Sequence, residues 1–134
     1  MKAFTDIEQS KKLAEILPIE SADMWWNFYS VTLDNTTPLI IHLDEPWIGD
    51  FNWNNEPDNI PAWSLAALLE QLDDEITDND GNDYELTIMK AGFHYQLYYH
   101  NSFGRAEDIK ADWHDNMIDA CYEMIVKLKE KGLI

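Results

Sequence analysis

Several sets of residues in this chain have types and spacings that could do chemistry. Asp78-Asn79-Asp80-Gly81-Asn82-Asp83 has the composition of a calcium loop, because hard cations take carboxylate and carbonyl oxygens. With Gly81 at the sixth position of an EF-hand loop, however, the first ligand is Ile76 and the twelfth Thr87, where carboxylates are required. The stretch therefore reads as a polar turn, built from the residues that turns ordinarily use. His42, His94, His100 and His114 have no H-x-H or H-E-x-x-H spacing. His94 and His100 would share a strand face, yet about 20 Å separates them at the strand rise, too far to hold one ion. Ser64 and Ser102 lack a nucleophile elbow, and Ser64 is expected to bond at a helix start. The five glycines, at 49, 81, 92, 104 and 132, stand singly and form no phosphate loop. The single Cys121 has no partner for a disulfide or a redox pair and falls on an apolar stripe, where a thiol is inert. No catalytic residue, metal ligand or cofactor is assigned, and the expectation is a chain that is not an enzyme. An enzyme would need a pocket where a carboxylate and a His or Tyr converge.

One further set stays in play. Trp47, Phe51 and Trp53 lie among Asp44, Glu45, Asp50, Glu56 and Asp58, in a stretch from 44 to 60 with no hydrophobic period. Aromatic rings beside carboxylates can stack on a sugar or grip a cationic side chain. The same rings can equally fold back as a lid on a small core, and both readings stand.

Charge narrows the functions further. The 134 residues carry 26 Asp and Glu against 9 Lys and Arg, a net charge of −17. No base occurs between Lys12 and Lys90, where 17 acids fall, while the rest of the chain is balanced. Such a field repels phosphate backbones and anionic lipid, so neither direct nucleic-acid binding nor membrane binding is expected. A basic partner would be attracted, although the same acidity also serves solubility. No apolar run approaches the roughly 18 residues of a membrane span, and the amino-terminal residues lack a secretory pattern, so a cytoplasmic location is expected.

The elements that would position these residues follow from capping, period and turn chemistry. Thr5 and Glu8 have capping-box spacing, starting a helix that runs to about Leu17 and stops at Pro18. Residues 25–33 and 39–43 read as a strand pair around a polar turn. Pro61 is expected to open a second helix, with Leu65, Leu68, Leu69 and Leu72 on its core face. Tyr84, Leu86 and Ile88 alternate with polar residues; Ala91-Gly92 turns the chain; Phe93 to His100 alternates again, the clearest hairpin present. A short strand is expected within 106–111. Asp115 is expected to cap a last helix with Ile118, Cys121, Tyr122, Ile125 and Leu128 as its stripe and Gly132 as its stop. The expected fold is a single α+β domain over residues 1–134. It is a two-layer arrangement of three helices on an antiparallel sheet of four to five strands, in the order α-β-β-α-β-β-(β)-α.

Four stretches taken together resemble a known group. They are Glu8-Gln9-Ser10-Lys11-Lys12-Leu13; Ala22-Asp23-Met24; Ile60-Pro61-Ala62-Trp63-Ser64-Leu65 with Leu68-Leu69; and Asp115-Asn116 with Asp119-Ala120-Cys121 and Met124-Ile125. The set resembles small acidic hypothetical proteins encoded by phages, prophages and mobile elements of gut bacteria. The resemblance implies a genetic setting and assigns no catalytic residue. It implies a protein that acts by contact, since accessory proteins of mobile elements commonly bind host machinery. The expected function is thus a non-enzymatic accessory protein that binds a basic host protein. The alternative is a small-molecule or carbohydrate binder using Trp47 and Trp53.

Overall fold

The computed structural model describes residues 2–26, 28–32, 38–42, 46–48 and 59–134, with the backbone alone at 28–32, 38–42 and 47. The chain groups into two compact units, Phe4–Ser64 and Leu65–Ile134 with the first three residues. The fold is α+β, and every pair of described strands is antiparallel. No helix of the described residues is long and apolar enough to cross a membrane.

Phe4–Ser64 begins with helix α1, Ile7–Ala14. Its capping box is Asp6 with Gln9, one residue beyond the expected Thr5 and Glu8. Thr5 is unavailable as a cap because it is buried. Its hydroxyl accepts the Trp63 N–H at 3.1 Å and bonds the Ser10 hydroxyl at 2.8 Å. The helix ends three residues short of Leu17, although the Leu17 N–H still reaches the Leu13 carbonyl and both leucines are buried. Strand β1, Met24–Trp26, pairs on one side with β4, Trp47–Ile48, and on the other with β5, Ile60–Ala62. Between them in sequence, β2 (Phe28–Thr32) and β3 (Pro38–His42) form the expected strand pair, Phe28 opposite His42 and Thr32 opposite Pro38.

Pro61 therefore sits in a strand rather than opening a helix. β5 lies at the edge of its sheet, where a residue without an N–H need not interrupt the ladder. Immediately after it, fully buried Trp63 donates its indole N–H to the Ser21 hydroxyl at 2.9 Å, and the Trp26 indole donates to the Thr5 carbonyl at 3.2 Å. Ser64, one residue ahead of the next helix, donates its N–H and its hydroxyl to the two oxygens of Asp23.

The second unit is built on a four-stranded antiparallel sheet: β6 (Glu75–Thr77), β7 (Asp83–Ala91), β8 (His94–Asn101) and β9 (Ile109–Lys110) in that order. The β7–β8 hairpin turns at Gly92, whose φ of 62° is left-handed and favours glycine. Helix α2 spans Leu65–Glu70 and α3 spans Met117–Glu130; α3 packs on both α2 and β8. Ile118, Cys121, Met124, Ile125 and Leu128 of α3 are buried, as are Leu97 and Tyr99 of β8 and Leu68 of α2, so helices cover one sheet face. Asn116, and not Asp115, caps α3 by accepting the Asp119 N–H; Asp115 instead pairs with His94 at 3.0 Å.

Candidate functional site

The residues singled out as a possible interaction surface are not brought together by anything the structure describes. Asp44, Glu45, Asp50, Phe51, Trp53, Glu56 and Asp58 lie outside the described residues. Trp47 is placed by its backbone in β4, opposite Trp25 of β1, so the stretch expected as a loop from 44 to 60 contains a two-residue strand and, at Ile60, the start of β5.

Among the described residues, an aromatic ring among carboxylates occurs at one end of the four-stranded sheet. Two open pockets flank Tyr84 there. One, of about 430 Å³, is lined by Glu75, Thr77, Asp83, Glu85, Ser102 and Phe103 with Tyr84. Pairing sets its floor, since Glu75 of β6 stands directly opposite Glu85 of β7, and Thr77 opposite Asp83. The Leu86 N–H donates to the Asp74 carbonyl, which makes Glu75–Glu85 a non-hydrogen-bonded pair, the geometry in which opposed side chains come closest. Two like charges so opposed destabilise a sheet. Thr77 donates its hydroxyl to Asp83 at 2.6 Å, while among the described residues neither the Glu75 nor the Glu85 side chain has a hydrogen bond or an ion pair.

Phe103 stands 70 % exposed at the rim. Buried Asn101 organises the turn that presents it: its side chain donates to the Asp83 carbonyl at 3.0 Å and accepts the Arg105 N–H at 2.9 Å. The Arg105 guanidinium lies 5.7 Å from the Phe103 ring centroid, so this ring already holds one cation.

The other pocket, of about 320 Å³, is lined by Asp78, Asn79, Asp80, Glu107 and Asp108 together with Tyr84, Ile109, Lys131 and Leu133. Asp78 is saturated. One oxygen accepts the Asp80 and Asn82 N–H groups at 2.9 Å, and the other accepts the Asn82 amide and the Tyr84 hydroxyl at 3.0 Å. These donors, the Asn82 side chain first, hold its carboxyl down at about 2. The stretch 78–83 is thus the polar turn that its composition suggested, and its first aspartate has no lone pair left to aim at a cation. Asp108 accepts the Asn101 N–H and pairs with His100 at 3.0 Å, which lowers its carboxyl as well, the His100 bond contributing most.

Here a carboxylate and a tyrosine do converge in a pocket. Burial, with the bond to Asp78 next, raises the Tyr84 hydroxyl above its usual range while Asp78 is lowered. The contact latches the turn onto the strand. The three histidines whose side chains are described also meet carboxylates: His94–Asp115, His100–Asp108 and His114–Glu123, each at 3.0 Å. The Glu123 carboxylate additionally accepts the Asp112 N–H, so these pairs tie the segment 108–115 to β8 and α3. Among the described residues no three His, Cys, Asp or Glu side chains gather as metal ligands.

The signal for this end of the sheet lay in the alternation Asp83, Glu85 on the hairpin and in Phe103 within a turn, an aromatic where turns are ordinarily polar. What alternation could not give was β6, whose three residues bring Glu75 opposite Glu85. Compared with protein-family models, with curated proteins and with solved structures, the chain matches none.

Proposed function

We propose that this protein is a non-enzymatic binding module for a basic protein partner, and that the pockets flanking Tyr84 supply the contact. One observation carries the reading: Glu75 and Glu85 face each other across β6 and β7 with no ion pair to either among the described residues, beside an exposed phenyl ring that already accepts a guanidinium. A lysine or arginine inserted there relieves the repulsion of the pair and gains a cation–π contact together with charge-assisted hydrogen bonds. The resemblance to accessory proteins of phages and mobile elements suits a host protein as that partner and the cytoplasm as the place they meet.

The experiment is titration of the protein with a capped arginine- and lysine-rich peptide at low and at raised salt, beside a peptide of the same length in which glutamine replaces each base. Saturable binding that falls with salt is expected for the first peptide only. Glu85→Gln should weaken it roughly threefold to tenfold, the range for one charge-assisted contact at a partly exposed site. The same substitution should stabilise the free protein by about 0.2–1 kcal/mol by removing the like-charge pair. Equal binding of both peptides, or none, overturns the proposal.

A further inference from the structure

The β7–β8 hairpin has an outer edge that the rest of the sheet does not cover. The pairing of Leu86 with Asp74 shows that even-numbered residues of β7 point their N–H and C=O groups away from β8, toward β6. β6 runs only opposite Asp83 to Glu85, so among the described residues the outward N–H and C=O groups of Ile88 and Lys90 have no partner. Around them Ile88 is 47 % and Met89 42 % exposed, and Phe93 at the hairpin tip is 87 % exposed. An uncapped edge with apolar side chains on both faces is a template for another strand.

Charge says what kind of strand. Where β6 leaves the edge, Asp73, Asp74 and Glu75 follow one another and all three are exposed. Lys90, the base on this edge, lies toward the tip, with its ammonium 5.7 Å from the Tyr95 ring centroid. A second copy of the chain would bring another net charge of −17 to the same place.

We infer that an extended basic segment of the partner adds as a strand to β7 over residues 87–91, pairing with Ile88 and Lys90 and setting its basic residues against Asp73, Asp74 and Glu75. Main-chain bonds then give affinity and the carboxylates give selectivity. This deepens the reading of a basic partner and rests on it.

The test uses the intact protein and a capped peptide alternating valine with lysine, followed by fluorescence anisotropy. An otherwise identical peptide N-methylated at alternate amides keeps every charge and loses the ability to pair on one edge. The parent peptide should bind, the methylated peptide roughly tenfold or more weakly. On binding, hydrogen exchange should slow at the Ile88 and Lys90 amides. Lys90→Pro, which removes an outward N–H and leaves the β7–β8 ladder intact, should lose affinity comparably. Equal binding of the two peptides overturns strand addition while leaving the basic-partner reading in place. Failure of both peptides to bind at low salt overturns both. Slowed exchange at these amides in the free protein, rising with its concentration, assigns the edge to a second copy and overturns the inference.

Discussion

A carboxylate that already accepts two backbone N–H groups, a side-chain amide and a phenol serves its own turn, and Asp78 is such a group. Replacing it with alanine should speed amide exchange at Asp80 and Asn82 and lower the melting temperature, while the far end of the hairpin keeps its protection. Its folded carboxyl lies at about 2 against an ordinary 3.8. A depressed folded value stabilises above the ordinary one, so the contribution is complete at neutral pH. It is lost as the pH falls from about 4 through about 2, and Asp108 moves the same way. Side-chain carbon shifts followed by NMR through that window check it, and a midpoint near the ordinary value for Asp78 would contradict it. Cys121 behaves oppositely, because burial pushes its thiol up to about 12. An alkylating reagent at neutral pH should label it at the rate the fold opens, and full labelling within seconds without denaturant would refute that.

At the scale of elements, Trp63 shows how Phe4–Ser64 holds its first helix against its small sheet. The Thr5 N–H donates to the Trp63 carbonyl, the Trp63 N–H to the Thr5 hydroxyl, and the indole to Ser21, all around a ring with no exposure. Trp63→Ala should cost about 3–5 kcal/mol in chemical denaturation. Thr5→Val leaves a buried N–H without its acceptor and should cost about 1–3 kcal/mol. A Trp63→Ala loss under 1 kcal/mol would mean that the ring is not structural. The same contacts explain what was legible in the sequence. The hairpin and the stripe of α3 declared themselves by period, because one face of each is buried. The two capping residues were each expected one position early, and for one reason: Thr5 and Asp115 are drawn into contacts with residues distant in sequence, Trp63 and His94, that no local pattern reveals. Pro61 obeys the helix-start rule and the edge-strand rule equally well, and only pairing with Trp25 decides between them. β6 and β4, at three and two residues, are too short for any period to register. Hence the Glu75–Glu85 pair could not be seen until strands were paired.

At the scale of the whole chain, the −17 charge acts on the fold and on a complex with opposite sign. Both units share it: Phe4–Ser64 holds eleven acids against two lysines, and the remainder fifteen acids against seven bases. Self-repulsion of this kind opposes compaction, and salt screens it over a Debye length of about 8–10 Å at physiological strength. Raising the salt should therefore stabilise the free protein, by roughly 1 kcal/mol or about 3–5 °C for a chain of this length. The complex with a basic peptide should weaken over the same range, since its attraction is screened in the same way. Solubility alone predicts only the first trend, because a dispersed acidic coat has no partner to lose. Melting curves and peptide titrations across one salt series thus separate the two roles of the charge. A melting temperature that rises while affinity falls assigns the acids at the end of the sheet to recognition, whereas a rise with no saturable binding at any salt assigns them to solubility.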